Sequence, residues 1–144
     1  MPHVAALGRR PGQLDIWVVA NDGNIWSAAS SDTSGWSVWF SLGAPAAGFP
    51  KGAPVASVAR KPGQLDIWAV GNDGNVWSAY WSESSGWSVW FSLGAPPARF
   101  AAKAPIAAVA RMPGQLDLFA VAKDGNVWSL AWSETSGWGG WFQL

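Results

Sequence analysis

The chain repeats itself at a spacing of 51 residues. Pro11-Gly12-Gln13-Leu14-Asp15 returns at Pro62-Gly63-Gln64-Leu65-Asp66 and again at Pro113-Gly114-Gln115-Leu116-Asp117. Asp22-Gly23-Asn24, Trp26-Ser27, Ser34-Gly35-Trp36 and Trp39-Phe40 recur at the same offset without a gap. A period in this range restricts the fold to copies of one supersecondary unit that bury their apolar surface against each other. Three units are expected, at residues 1–51, 52–102 and 103–144.

One unit reads as four short strands. In the middle copy, Pro54 to Arg60 is built of small β-compatible residues, and Pro62-Gly63 supplies a turn. Leu65 to Gly71 contains Ile, Trp and Val in alternation and reads as a second strand. Asn72-Asp73-Gly74-Asn75 then predicts a hairpin of type I′, in which both central residues take φ > 0. Val76 to Trp81 is a third strand, Ser82 to Gly86 a polar loop, and Trp87 to Leu93 a fourth strand. Glycine, proline and Asn-Asp-Gly interrupt every window before a helix of about 10 residues forms. The fold class is therefore all-β, and four antiparallel strands in about 50 residues make one β-propeller blade. Small side chains in the first strand suit a crowded central channel, and tryptophan in the last strands suits the wider rim. A β-trefoil, which also has three repeats, is the second choice.

Composition removes several functions. Nine basic residues balance nine acidic ones, which argues against nucleic acid, since that partner needs a basic surface. No apolar run approaches the roughly 18 residues that span a bilayer. With no cysteine, disulfides, zinc–thiolate sites and cysteine nucleophiles are absent. Met1-Pro2-His3 leads straight into repeat sequence, so the expectation is a chain without a signal peptide, cytoplasmic or released. The unusual figure is 13 Trp against one Tyr. Indoles used this often either stack in a repeated core or offer faces to ligands.

Three blades leave two apolar faces uncovered. The chain starts just before a first strand, and Leu144 aligns with Leu42 and Leu93, so each blade is expected to be complete. Closure is then expected from further copies in head-to-tail contact: a homodimer giving six blades, with a homotrimer of nine as the alternative.

The run Leu65-Asp66-Ile67-Trp68, Asp73-Gly74-Asn75-Val76-Trp77, Tyr80-Trp81, Gly86-Trp87-Ser88-Val89-Trp90 and Ser92-Leu93-Gly94 resembles the blade consensus of the Photorhabdus-type bacterial β-propeller lectins. The resemblance covers essentially the whole chain, three times. It implies a propeller that binds monosaccharides, L-fucose or its methylated relatives, in pockets between blades. The chain departs from that family in two ways. Ser78 stands where the family has a histidine, and members commonly carry seven blades in one chain.

Several positions are candidates for sugar contact. Trp81 and Trp132 align with Ser30, so the position tolerates loss of an indole; an exposed stacking face explains this, as does an interblade packing residue dropped in the first unit. Trp36, Trp87 and Trp138 follow glycine beside a polar loop. Trp26, Trp77 and Trp128, with Trp39, Trp90 and Trp141, read as repeated blade core. Arg9, Arg60 and Arg111 share one position and offer a rigid fork of donors; the alternative is an ion pair across the Pro-Gly turn with Asp15, Asp66 or Asp117. Those aspartates are themselves expected to accept from backbone or indole donors. Asp32, Glu83 and Glu134 keep an acid in the loop before Gly-Trp, able to accept sugar hydroxyls or to remain solvated.

Every acid recurs in each unit, whereas a glycosidase centre is singular and needs two carboxylates at fixed separation. The single histidine, His3, has no partners for a nucleophilic triad, and no cluster has metal-ligand spacing. Neither catalysis, cofactor nor metal is expected. The leading function is a multivalent lectin; the alternative is a symmetric scaffold in which ligand binding is lost or incidental.

Overall fold

Residues 3–144 are described by the computed structural model. They form three antiparallel sheets and no helix. The first contains β1 (Ala5–Arg10), β2 (Gln13–Val19), β3 (Ile25–Ser31), β4 (Gly35–Trp36) and β5 (Phe40–Gly43). The second contains β6 (Ala56–Lys61), β7 (Gln64–Val70), β8 (Val76–Ser82), β9 (Gly86–Trp87) and β10 (Phe91–Gly94). The third contains β11 (Ala107–Met112), β12 (Gln115–Val121), β13 (Val127–Ser133), β14 (Gly137–Trp138) and β15 (Phe142–Gln143). β6 lies beside both β1 and β11; Ala56, Ser57 and Ala59 are small enough to let three first strands approach one axis.

Two expectations need correcting. The fourth strand is broken in two: β9 and β10 both pair with β8, and Ser88-Val89-Trp90 leaves the ladder. Ser88 covers the gap, its N–H donating to Tyr80 O at 2.8 Å and its Oγ accepting from Tyr80 N at 3.0 Å. The hairpin between β7 and β8 is not type I′. Gly74 alone carries φ of +79°, and Asp73 is not among the left-handed residues. Gly74 N donates to Gly71 O, and Gly71 N to Asn75 O. This is a type I turn closed by a left-handed glycine. Asp73 stays in the ordinary region because its carboxylate is needed there, accepting from Asn75 N and the Trp77 indole. At the equivalent turns the Asn24 and Asn126 backbone N–H groups, helped by the indoles, hold Asp22 and Asp124 below the usual carboxylate range. Trp26, Trp77 and Trp128 are half-buried and cap these turns, and Trp77 and Trp128 also pack against the buried cores.

The cores lie at the seams between sheets. Side chains alternate across a strand, so Leu65, Ile67 and Ala69 of β7 face the first sheet while Asp66, Trp68 and Val70 face the third. The first set packs with Trp17, Val19 and Ile25, and the second with Leu116, Leu118 and Ala120. All of Leu65 to Val70 is therefore buried, whereas β2 and β12 are buried mainly on one face. Each linker places a phenylalanine in the seam it crosses. Phe49 N donates to Gly23 O, and its ring meets Trp90 edge-on at 5.1 Å. Phe100 does the same with Gly74 O and Trp141. The Trp90 and Trp141 indoles donate back to Leu42 O and Leu93 O, each at 2.9 Å. Trp90 and Trp141 thus join the cores at the seams, while their counterpart Trp39 is exposed.

Candidate functional site between sheets

A cavity of about 390 Å³ opens at the seam between the second and third sheets. Arg60, Gln64, Asp66, Tyr80, Ser82 and Phe91 come from one side; Leu116, Trp132 and Trp138 come from the other, with Ser84 and Ser85 at the loop. The Pro62-Gly63 turn sets Arg60 and Asp66 on adjacent strands. The Arg60 Nε–H donates to Asp66 Oδ2 at 2.8 Å, and Nη2 takes the second carboxylate oxygen. Arg9 and Asp15 make the same fork at 2.8 and 2.7 Å. Asp15, Asp66 and Asp117 accordingly take arginine rather than backbone or indole donors. Burial pushes the Asp66 carboxyl above the ordinary carboxylate range, while the Arg60 hydrogen bond and charge pull it back. The pair is fixed, yet the outer guanidinium hydrogens remain for a ligand.

Trp81 and Trp132 are half-buried rather than free stacking faces. The Arg9 guanidinium lies 4.5 Å from the Trp81 ring centre, and Arg60 lies at the same distance from Trp132. This cation–π contact contributes about 2 kcal/mol where desolvated, and it aims each arginine into the seam. Trp138 lines the cavity edge-on to Trp68, and Trp87 stands likewise against Trp17. Trp36 has no preceding sheet and is exposed. Arg111 holds Asp117 more loosely and is itself exposed.

The loop acids are not brought into the cavity. The backbone N–H of Asp32, Glu83 and Glu134 donates to Gly12 O, Gly63 O and Gly114 O, and each carboxylate lies over that glycine. Glu83 crosses the first seam to pair with Arg10 at 2.6 Å. Asp32 borders a separate concavity on the open face of the first sheet. The acid in the site is Asp66.

Gln64, at the blade entry, reads from the sequence as able to bind or to serve the fold, whereas Tyr80, Ser82 and Phe91 were not singled out. Tyr80 had a signal: it is the sole tyrosine and stands where the other units have Ala29 and Ala131. Its ring lies 5.9 Å from the Arg60 guanidinium and edge-on to Phe91. A smaller hollow of about 200 Å³ lies on the same face of the first sheet, lined by Arg9, Gln13, Ser31 and Trp36 among others. Among the described residues no group of three His, Asp or Glu side chains is placed to hold a metal. Amide, hydroxyl and guanidinium groups between aromatic walls, in a volume at the lower end of small-ligand sites, suit a compact polyol.

No family model and no curated protein matches the chain. Solved structures do. The BP39L lectin from Burkholderia pseudomallei superposes with a TM-score of 0.87 and 30% identity, over 99% of this chain and 41% of that one. Aleuria aurantia lectin, solved with Fucα1-6GlcNAc, gives 0.74 at 20% identity over 99% and 45%. Another structure of that lectin, described as a six-bladed β-propeller with a novel fucose recognition mode, gives 0.70 at 19% over 98% and 44%. The chain spans less than half the length of these proteins. The three sheets are propeller blades, and the chain has the fold of a three-blade portion of a β-propeller.

Proposed function

We propose that the chain is a multivalent, non-catalytic lectin that binds fucose-like monosaccharides in the seams between blades. The observation that carries this reading is the cavity at the second seam: a fixed Arg60–Asp66 fork and the Gln64 amide, walled by Tyr80, Trp132 and Trp138. The fork and the stacked indole recur at the first seam as Arg9, Asp15 and Trp81. The structural neighbours include lectins solved with fucosides, which supports the sugar class. Shallow seams bind weakly, and repetition converts weak sites into avidity on a glycan-coated surface.

Closure by a second copy, giving six blades, belongs to the same proposal. The two open faces are the two halves of an interface already built twice within the chain. Leu14 is 47% exposed where Leu65 and Leu116 are at 1%, and Val121 is 54% exposed where Val70 is at 1%. Trp39 is exposed and, among the described residues, has no carbonyl acceptor, whereas Trp90 and Trp141 donate to Leu42 and Leu93. The Leu144 carbonyl of another copy is the repeat-equivalent acceptor.

Isothermal titration with L-fucose and methyl α-L-fucoside tests the sugar reading, with galactose as control. Saturable heat in the micromolar-to-millimolar range is expected for the fucosides. No heat at high millimolar sugar leaves the scaffold alternative standing.

A further inference from the structure

The seams of such a ring are of three kinds, two within each chain and one between copies, and they are not chemically alike. Two devices close the first seam: Arg9 stacks on Trp81, and Arg10 pairs with Glu83. The second seam keeps the stack of Arg60 on Trp132. Neither device can form where blade three meets blade one of another copy. The repeat sets Arg111 opposite Ser30, and Met112 opposite Asp32. Arg111 is 58% exposed at its side chain, against 16% and 17% for Arg9 and Arg60. Around Ser30 and Asp32 the open face already carries a concavity of about 570 Å³, floored by Leu14.

We infer that the seam between copies is a second class of binding site, wider than the in-chain seams, which takes a glycan of two or more sugars where they take one. This rests on the lectin reading and on closure by a second copy. Replacing an indole with a hydroxyl opens a slot of roughly one sugar ring directly over the guanidinium. Arg111 then offers donors freed from a stacked ring, Ser30 a hydroxyl, and Asp32 a carboxylate faced across the seam by Met112 in place of a cation, with Arg10 of its own blade lining the same concavity. Leu14 and Met112 supply the apolar patch that a pyranose face needs. A charged donor, a charged acceptor and an apolar floor in one slot suit a second hydroxylated ring better than a bare methyl aglycone.

Native mass spectrometry of the full chain, with methyl α-L-fucoside and with the disaccharide Fucα1-6GlcNAc as probes, tests it. The parent dimer is expected to bind the disaccharide at one site per chain on the order of tenfold more tightly than the methyl fucoside. Ser30→Trp refills the slot with the residue its neighbours carry and should abolish that preference while leaving methyl fucoside occupancy of the in-chain seams intact. Met112→Arg, which gives Asp32 a cation, should weaken the disaccharide in the same direction with the dimer retained. Unchanged disaccharide binding in both variants overturns the inference while the lectin reading survives. A monomeric parent that still binds methyl fucoside does the same. No sugar bound by any form overturns both.

Discussion

Arg60 and Tyr80 carry the site in different ways. The Arg60–Asp66 fork is structural first, because Asp66 is buried and would lose the counter-charge that Arg60 supplies. Arg60→Ala is expected to cost about 3–5 kcal/mol of stability, the loss typical when one partner of a buried pair is removed. The pH dependence follows from the direction of the Asp66 shift. Burial already raises that carboxyl, and removing Arg60 raises it further, so the folded variant holds its proton to higher pH than the unfolded chain does. Its stability therefore recovers as pH falls through that raised value. Thermal melts should show the gap to the parent closing as the pH is lowered from neutral. Tyr80 is 42% exposed, with its ring edge-on to Phe91 and at the margin of the Arg60 guanidinium. Tyr80→Ala makes the second unit like its neighbours and should leave the melting temperature unchanged while weakening fucoside binding at that seam about fivefold, the value of roughly 1 kcal/mol of aromatic contact. Calorimetric titration of the variant checks it. These two residues also mark what was legible. Arg60 stood out by recurring; Tyr80 was passed over because a repeat-based reading looks for what stays the same.

Among the elements, the blade hairpins were readable from Asp-Gly between alternating runs, but their turn type was not. Both type I′ and type I with a left-handed glycine need Gly at that position. The choice falls to Asp73, whose carboxylate caps the turn and the Trp77 indole. The linkers were read as pattern breaks, yet Phe49 and Phe100 are buried seam residues, since a lone phenylalanine among Ala and Pro has no periodicity to expose it. A pair of glycines measures how hard the linker presses. Gly74 and Gly125 have φ of +79° and +82°. A Cβ on Gly74 would meet Arg99 Cβ and Phe100 O at 3.3 Å, and one on Gly125 would meet nothing within 4 Å. Gly125→Ala should cost only the left-handed backbone penalty of about 1–2 kcal/mol, and Gly74→Ala measurably more. Chemical denaturation of the two variants gives the difference.

For the whole molecule, three blades were visible from the spacing alone, and so was the need to cover two faces. Leu14, Val109, Val121 and Val127 follow the repeat: each is exposed and is the counterpart of a residue buried elsewhere in the chain. Leu14→Asp places a charge on the open face without touching either in-chain seam. Sedimentation velocity should then show a shift from dimer to monomer, with the dependence of melting temperature on protein concentration lost. An unchanged dimer would place the contact elsewhere.

The broken outer strand has a consequence for how such chains meet. A sheet margin with a long straight row of free amides recruits other chains into fibres. Here the margin offers only the two residues of β9 and the four of β10, bent apart by the Ser88 detour. The rim is a poor template for stacking, so encounters between molecules are steered away from open-ended filaments and towards the blade flanks, where a closed ring is the natural stopping point.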